Sequence, residues 1–117
     1  MSGPVLVVDD DPAIREAVRD VLEGMGFPVE TASDGAAALD KVLEEVPRLV
    51  LLDMRMPVMD GWAFAEALRE RGLALPVVVM TAAADARRWA DEIGAIGVVP
   101  KPFAVSELIS AVERHIG

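Results

Sequence analysis

Five side chains in this 117-residue sequence could do chemistry together, because apolar runs end on each of them. Val5–Val8 runs into Asp9, Asp10 and Asp11. Leu49–Leu52 runs into Asp53, Val77–Met80 runs into Thr81, and the shorter Val98–Val99 leads to Lys101. Continuous apolar runs of this length read as strands buried on both faces. Ligands of open parallel sheets sit at the carboxyl ends of the strands, so the four ends are read as one pocket. Asp9, Asp10 and Asp53 converge there if the first and third strands are neighbours. Carboxylates that close raise each other's pKa unless something neutralises them. A hard divalent cation with oxygen ligands does so, and a few carboxylates, a carbonyl and several waters suit Mg2+. A cation beside one reactive Asp also suits phosphoryl transfer, since it offsets the repulsion between carboxylate and phosphate. The Asp oxygen can be the nucleophile, giving an aspartyl phosphate. Thr81 could donate its hydroxyl to a phosphate oxygen. Lys101, one of only two lysines, supplies a point charge for another.

The elements that must position these residues alternate along the chain. Ser2–Pro4 reads as a short tail and Val5–Val8 as the first strand. Asp11-Pro12 opens a helix as N-cap and first-turn proline, with Ile14, Val18, Val21, Leu22 and Met25 on one face and Gly24 and Gly26 at its end. Val29–Ala32 is a short edge strand after Pro28. Ser33 or Asp34 caps a second helix whose expected buried stripe is Leu39, Val42, Leu43 and Val46, stopped by Pro47. Leu49–Asp53 is the third strand, and Asp60-Gly61 marks a turn. A third helix places Phe64, Ala65 and Leu68 inward and ends at Gly72. Pro76–Thr81 is the fourth strand. Asp85 is the expected cap of a fourth helix with Ala86, Trp89, Ala90 and Ile93 on one face. Val98–Val99 starts a fifth strand that Pro100 is expected to cut off. A last helix begins at or just before Ser106, with Val105, Leu108, Ile109, Val112 and Ile116 inward. Five strand–helix repeats imply an α/β domain, a parallel sheet with helices on both faces, and right-handed crossovers leave few topologies.

Asp9-Asp10 after the first strand, Asp53 within Leu-Leu-Asp-Met-Arg-Met-Pro-Val-Met-Asp-Gly, Thr81 in Met-Thr-Ala, and Lys101-Pro102-Phe103 together resemble the response regulator receiver domain. Any one motif is weak, but four in this order at strand ends are specific, and the likeness runs from Val5 to His115. The resemblance implies a doubly wound, flavodoxin-like (βα)5 sheet in the order 2-1-3-4-5, with residues 1–117 as one receiver domain. It implies that Asp53 accepts a phosphoryl group from a histidine kinase or a phosphotransfer protein. It implies Asp10, Asp53 and the backbone carbonyl of Arg55 as direct Mg2+ ligands, Asp9 acting through water, and Thr81 and Lys101 as the pair that senses the phosphate. It also implies a cis Lys101–Pro102 bond, which only an X-Pro peptide makes accessible. A downstream protein or output domain would then bind the switched form, through the fourth helix, fifth strand and fifth helix. No output domain follows Gly117 in this sequence, so a stand-alone regulator and an excised receiver both stay open.

The sequence departs from the family's pattern at several places. Val98 stands where the family often has an aromatic residue on the fifth strand, and a stiff β-branched side chain cannot act as an aromatic rotamer switch. Pro100 stiffens the loop before Lys101, and the stretch from Thr81 to Gly94 is slightly short. Arg55 and Ala83 follow Asp53 and Thr81 by two residues, positions that flank the attacking water's path in this family. Arg55 is expected to screen the phosphoryl group.

Composition narrows the alternatives. With 53% hydrophobic and 26% charged residues the chain folds as one domain. A net charge of −9 argues against direct contact with nucleic acid. The absence of cysteine and of a signal peptide fits the cytoplasm, and no apolar run approaches the roughly 18 residues of a membrane span. A Mg2+-dependent phosphohydrolase of haloacid dehalogenase type is the alternative function. It would need a second Asp at position 55, where an arginine cannot release its proton. A flavodoxin-like cofactor binder would need a phosphate-friendly first loop, and this one carries three acids. An unphosphorylated pseudo-receiver would lack a pocket acid, and none is missing. His115 is expected to be exposed and without a role.

Overall fold

A computed structural model describes residues 3–116. Five strands and five helices alternate: β1 (Val5–Val8), α1 (Pro12–Gly24), β2 (Val29–Ala32), α2 (Gly35–Glu44), β3 (Leu49–Asp53), α3 (Gly61–Glu70), β4 (Val77–Thr81), α4 (Ala86–Ile93), β5 (Gly97–Pro100) and α5 (Val105–Ile116). The strands form one parallel sheet in the order β2-β1-β3-β4-β5. Every residue of β1, β3 and β4 is buried, as strands covered on both faces must be.

Alternation along each strand divides the core in two. Leu6, Val8, Val50, Leu52, Val77 and Val79 pack with Ala38, Val42, Phe64, Leu68 and Trp89 of α2, α3 and α4. Val5, Val7, Leu49, Leu51, Val78 and Met80 pack on the other face with Val18, Leu22, Leu108 and Val112 of α1 and α5. The register sets Val8 beside Leu52, Asp53 beside Met80 and Thr81 beside Pro100. The carboxyl ends of β1, β3, β4 and β5 therefore open onto one rim.

Three helices start on an acid that caps them. Asp11, Asp34 and Asp60 accept the N–H groups of Ala13, Ala37 and Ala63 at 2.9, 2.8 and 2.9 Å. Asp85 precedes α4 but makes no capping bond; its carboxylate pairs with Arg88 at 3.3 Å.

Four expectations need correcting. In α2 the buried residues are Gly35, Ala38 and Val42, while Leu43 and Val46 are exposed. The helix ends at Glu44, so Val46 lies beyond its last turn and the helical phase no longer applies to it. Pro100 is itself the last residue of β5, included in the strand it ends, because β5 is an edge strand where a missing N–H is tolerated. Val105, the first residue of α5, is exposed. Pro4 is buried and its carbonyl accepts the Arg48 N–H at 2.9 Å, so Gly3 and Pro4 are tied down; Ser2 lies outside the described residues.

Candidate functional site

Asp9, at the end of β1, has no solvent exposure. Buried charge is tolerated only when paired, and Asp9 is fully partnered. Its Oδ1 accepts the Asp11 N–H at 2.9 Å, and its Oδ2 lies 2.6 Å from Lys101 Nζ. Arg15, on the first turns of α1, donates Nη1 to the Asp9 carbonyl at 2.7 Å. Asp10, the next residue, turns to solvent. Asp53 closes β3 at 7% exposure, with Oδ2 at 3.9 Å from Lys101 Nζ. Carboxylate oxygens of Asp9, Asp10 and Asp53 lie within 4.8 Å of one another.

Burial pushes the Asp53 carboxyl up to about 6 from its ordinary 3.8. The Lys101 ammonium opposes the rise, the Asp9 charge adds to it, the Arg55 backbone N–H opposes it, and Asp10 adds a smaller push. Asp9 and Asp53 thus share one ammonium, and Asp10 has none among the described residues. This excess of hard oxygen donors over local positive charge fits a divalent cation, and those acids could hold one.

Thr81 ends β4, beside β3 in the sheet, and is buried. Its Oγ1 accepts the Ala83 N–H at 3.2 Å, a local turn contact that orients the hydroxyl. The Lys101 N–H donates to the Thr81 carbonyl at 2.9 Å and joins the ends of β4 and β5. The Lys101–Pro102 peptide is cis, as expected.

The loop after β3 is held by close backbone contact on both sides. Gly61 donates its N–H to the Met54 carbonyl at 2.9 Å, and a Cβ there would meet Met54 Sδ at 2.6 Å and Met54 Cα at 2.8 Å. Gly35 donates to the Met59 carbonyl at 2.8 Å, and its Cβ would meet that oxygen at 2.6 Å. Only glycine allows either approach.

The family model for the response regulator receiver domain matches residues 5–113. The chain belongs to the response regulator receiver family. It is a phosphoacceptor signalling domain of two-component systems, and the 2-1-3-4-5 parallel sheet is the family's fold. The receiver is 40% identical over 116 residues to the DNA-binding transcriptional regulator NtrC of Escherichia coli K12, covering 97% of this chain and 25% of that protein. It is 42% identical over 112 residues to the response regulator MprA of Mycobacterium tuberculosis H37Rv, covering 94% of this chain and 49% of that one. It therefore spans a quarter to a half of the length of these relatives. Among solved structures, the Vibrio cholerae chemotaxis protein CheY4 superimposes with a TM-score of 0.88 at 32% identity, covering 98% of this chain and 99% of that one. The receiver domain of NtrX from Brucella abortus gives 0.87 at 33%, covering 96% and 97%. Receiver domains of this family work with kinases and output domains. Nothing supports the haloacid dehalogenase alternative, and that reading is withdrawn. No helix among the described residues is long and apolar enough to cross a membrane.

The structure gathers Asp9, Asp10, Asp53 and Lys101 by direct distance and Thr81 by strand position. Sequence reasoning missed Arg15, whose signal was a basic residue four positions after the helix cap, and read Asp11 only as a cap. It expected Arg55 to screen a phosphoryl group on Asp53; without one, the guanidinium lies over the ring of Trp89 in α4, 5.0 Å from its centroid. His115, expected to be exposed, is half-buried against Gly97 of β5.

Proposed function

We propose that Asp53 is the phosphoacceptor, with Asp10, Asp53 and the Arg55 carbonyl holding Mg2+ directly, Asp9 helping through water, and Thr81 and Lys101 reading the phosphoryl group. The single observation that carries this is the meeting of three carboxylates within 4.8 Å beside one half-buried ammonium. Asp53 is ionised at neutral pH, yet its raised basicity favours attack. A carboxylate oxygen of Asp53 attacks the phosphorus of a phosphohistidine on a histidine kinase or phosphotransfer protein. The P–N bond breaks and the imidazole leaves with its electron pair. Mg2+, when bound, offsets the charge that builds on the phosphoryl oxygens. Lys101 already lies 3.9 Å from Asp53 and is positioned to meet a phosphoryl oxygen. The domain catalyses its own phosphorylation and dephosphorylation in this reading, as a switch and not as a turnover enzyme.

Residues 1–117 act in this proposal as one receiver domain whose phosphorylated form binds a downstream protein or output domain. The NtrC relative is DNA-binding by its name, but a net charge of −9 supports no direct nucleic-acid contact by this domain. A cysteine-free composition suits the reducing cytoplasm.

The test is incubation with acetyl phosphate and Mg2+, followed by intact mass. One phosphoryl group is expected, absent without Mg2+ and absent in Asp53→Ala. Persistent labelling of Asp53→Ala would overturn the assignment.

A further inference from the structure

Arg55 stands two residues beyond Asp53, and its backbone N–H faces that carboxylate. Its side chain goes elsewhere, to the ring of Trp89. Trp89 belongs to α4 and is buried. It meets Trp62 of α3 edge-to-face, with centroids 4.9 Å apart and planes at 70°. The Trp62 Nε1–H donates to Glu92 Oε1 at 3.0 Å, which returns the connection to α4. One guanidinium therefore links the end of β3 to α4, and a pair of indoles ties α4 to α3. Among the described residues no carboxylate lies within ion-pair distance of Arg55. Meanwhile β5 carries Gly97, Val98, Val99 and Pro100, with no aromatic side chain to report the state of the pocket.

Charge chemistry makes this contact breakable. The face of an indole attracts a guanidinium only modestly at an exposed position, and Arg55 is exposed. A phosphoryl dianion attracts the same group more strongly, through charge-assisted hydrogen bonds. We propose that a phosphoryl group on Asp53 and the ring of Trp89 compete for the Arg55 guanidinium, so that phosphorylation uncovers Trp89 and loosens α4 from the rest of the rim. This rests on Asp53 being the phosphoacceptor. Arg55 is then a positioning residue for α4, and the tryptophans on α3 and α4 take the part that β5 cannot play.

The experiment uses Trp62→Phe, which leaves Trp89 as the sole indole, alongside the parent protein with both. Each is treated with acetyl phosphate and Mg2+. Intact mass gives the phosphorylated fraction, and acrylamide quenching of tryptophan emission is read per phosphorylated molecule. The expected result is a rise of about twofold in the quenching constant of Trp89 on phosphorylation, the scale set by a contact of this class. Arg55→Met placed on each background starts from the higher quenching and shows no further rise, while Arg55→Lys restores part of the response. Phosphorylated protein whose Trp89 quenching does not change, or an Arg55→Met protein that responds like its parent, overturns the competition. Absence of any mass gain overturns the phosphoacceptor reading itself, and the competition with it.

Discussion

The ammonium of Lys101 sits 2.6 Å from Asp9 Oδ2, and that carboxylate has no solvent exposure although the two residues are 92 apart in the chain. The pair closes β5 onto β1 across the intervening strands. Removing the cation leaves a buried anion with only the Asp11 N–H to hold it. Lys101→Met is expected to cost about 3 kcal/mol in urea unfolding with chelator present at neutral pH. Adding Asp9→Asn should return a large part of it. A loss under about 1 kcal/mol would show that the carboxylate finds water or a proton instead.

Asp53 gives a pH-dependent signature. Burial holds its carboxyl up at about 6, above the ordinary value of 3.8, so the folded chain binds this proton more tightly than the unfolded chain. The stability it contributes is present below pH 3.8 and is lost as pH rises through 6. In chelator, Asp53→Asn should therefore raise stability at pH 7 by on the order of 2 kcal/mol and change little at pH 4. Equal effects at both pH values would refute a raised carboxyl.

Val58 is the only non-glycine residue with positive φ among the described residues, at 68°, and it is 85% exposed. The Met59 N–H bonds to the Pro57 carbonyl at 2.8 Å across it, closing a tight γ-turn. A β-branched residue is strained there and gains nothing from burial. Val58→Gly should add about 1 kcal/mol, the relieved strain exceeding the entropy that glycine returns to the unfolded chain. The midpoint of denaturation should shift without a change in slope.

Two glycines should behave oppositely. Gly61→Ala drives a Cβ against Met54 Cα, which is backbone beside Asp53, and should cost about 2 kcal/mol while weakening Mg2+ binding. Gly24, in the last turn of α1, has open space where its Cβ would point. Gly24→Ala should be neutral or stabilising by up to about 1 kcal/mol with Mg2+ binding unchanged. Circular-dichroism melts and a Mg2+ titration separate the two.

The fold was legible because fully buried parallel strands write themselves as apolar runs, and because Asp11 and Asp34 announce two helix starts; Asp60, read as a turn residue, caps a third. The pocket was legible because each run ends on a residue that no core would choose. Helix faces were harder to read. In α2 the close packing uses Gly35 and Ala38, small residues that barely register in a hydrophobic pattern, while the louder Leu43 points to solvent. Arg55 was read only from its position two residues after Asp53, which says nothing of where its side chain rests without a phosphoryl group. Its resting place over Trp89 depends on where α4 lies, and that is a tertiary fact with no local signal.

Pro100 has a consequence for assembly. The Lys101 N–H is spent on Thr81 of β4, and backbone groups of successive strand residues alternate in direction. The nitrogen of Pro100 therefore points away from the sheet, where it has no hydrogen to offer. An incoming strand seeking to lengthen the sheet past β5 would find a donor absent at the very end nearest the pocket, a built-in guard against strand addition. A main-chain ladder added on that flank is therefore one donor short at its pocket end.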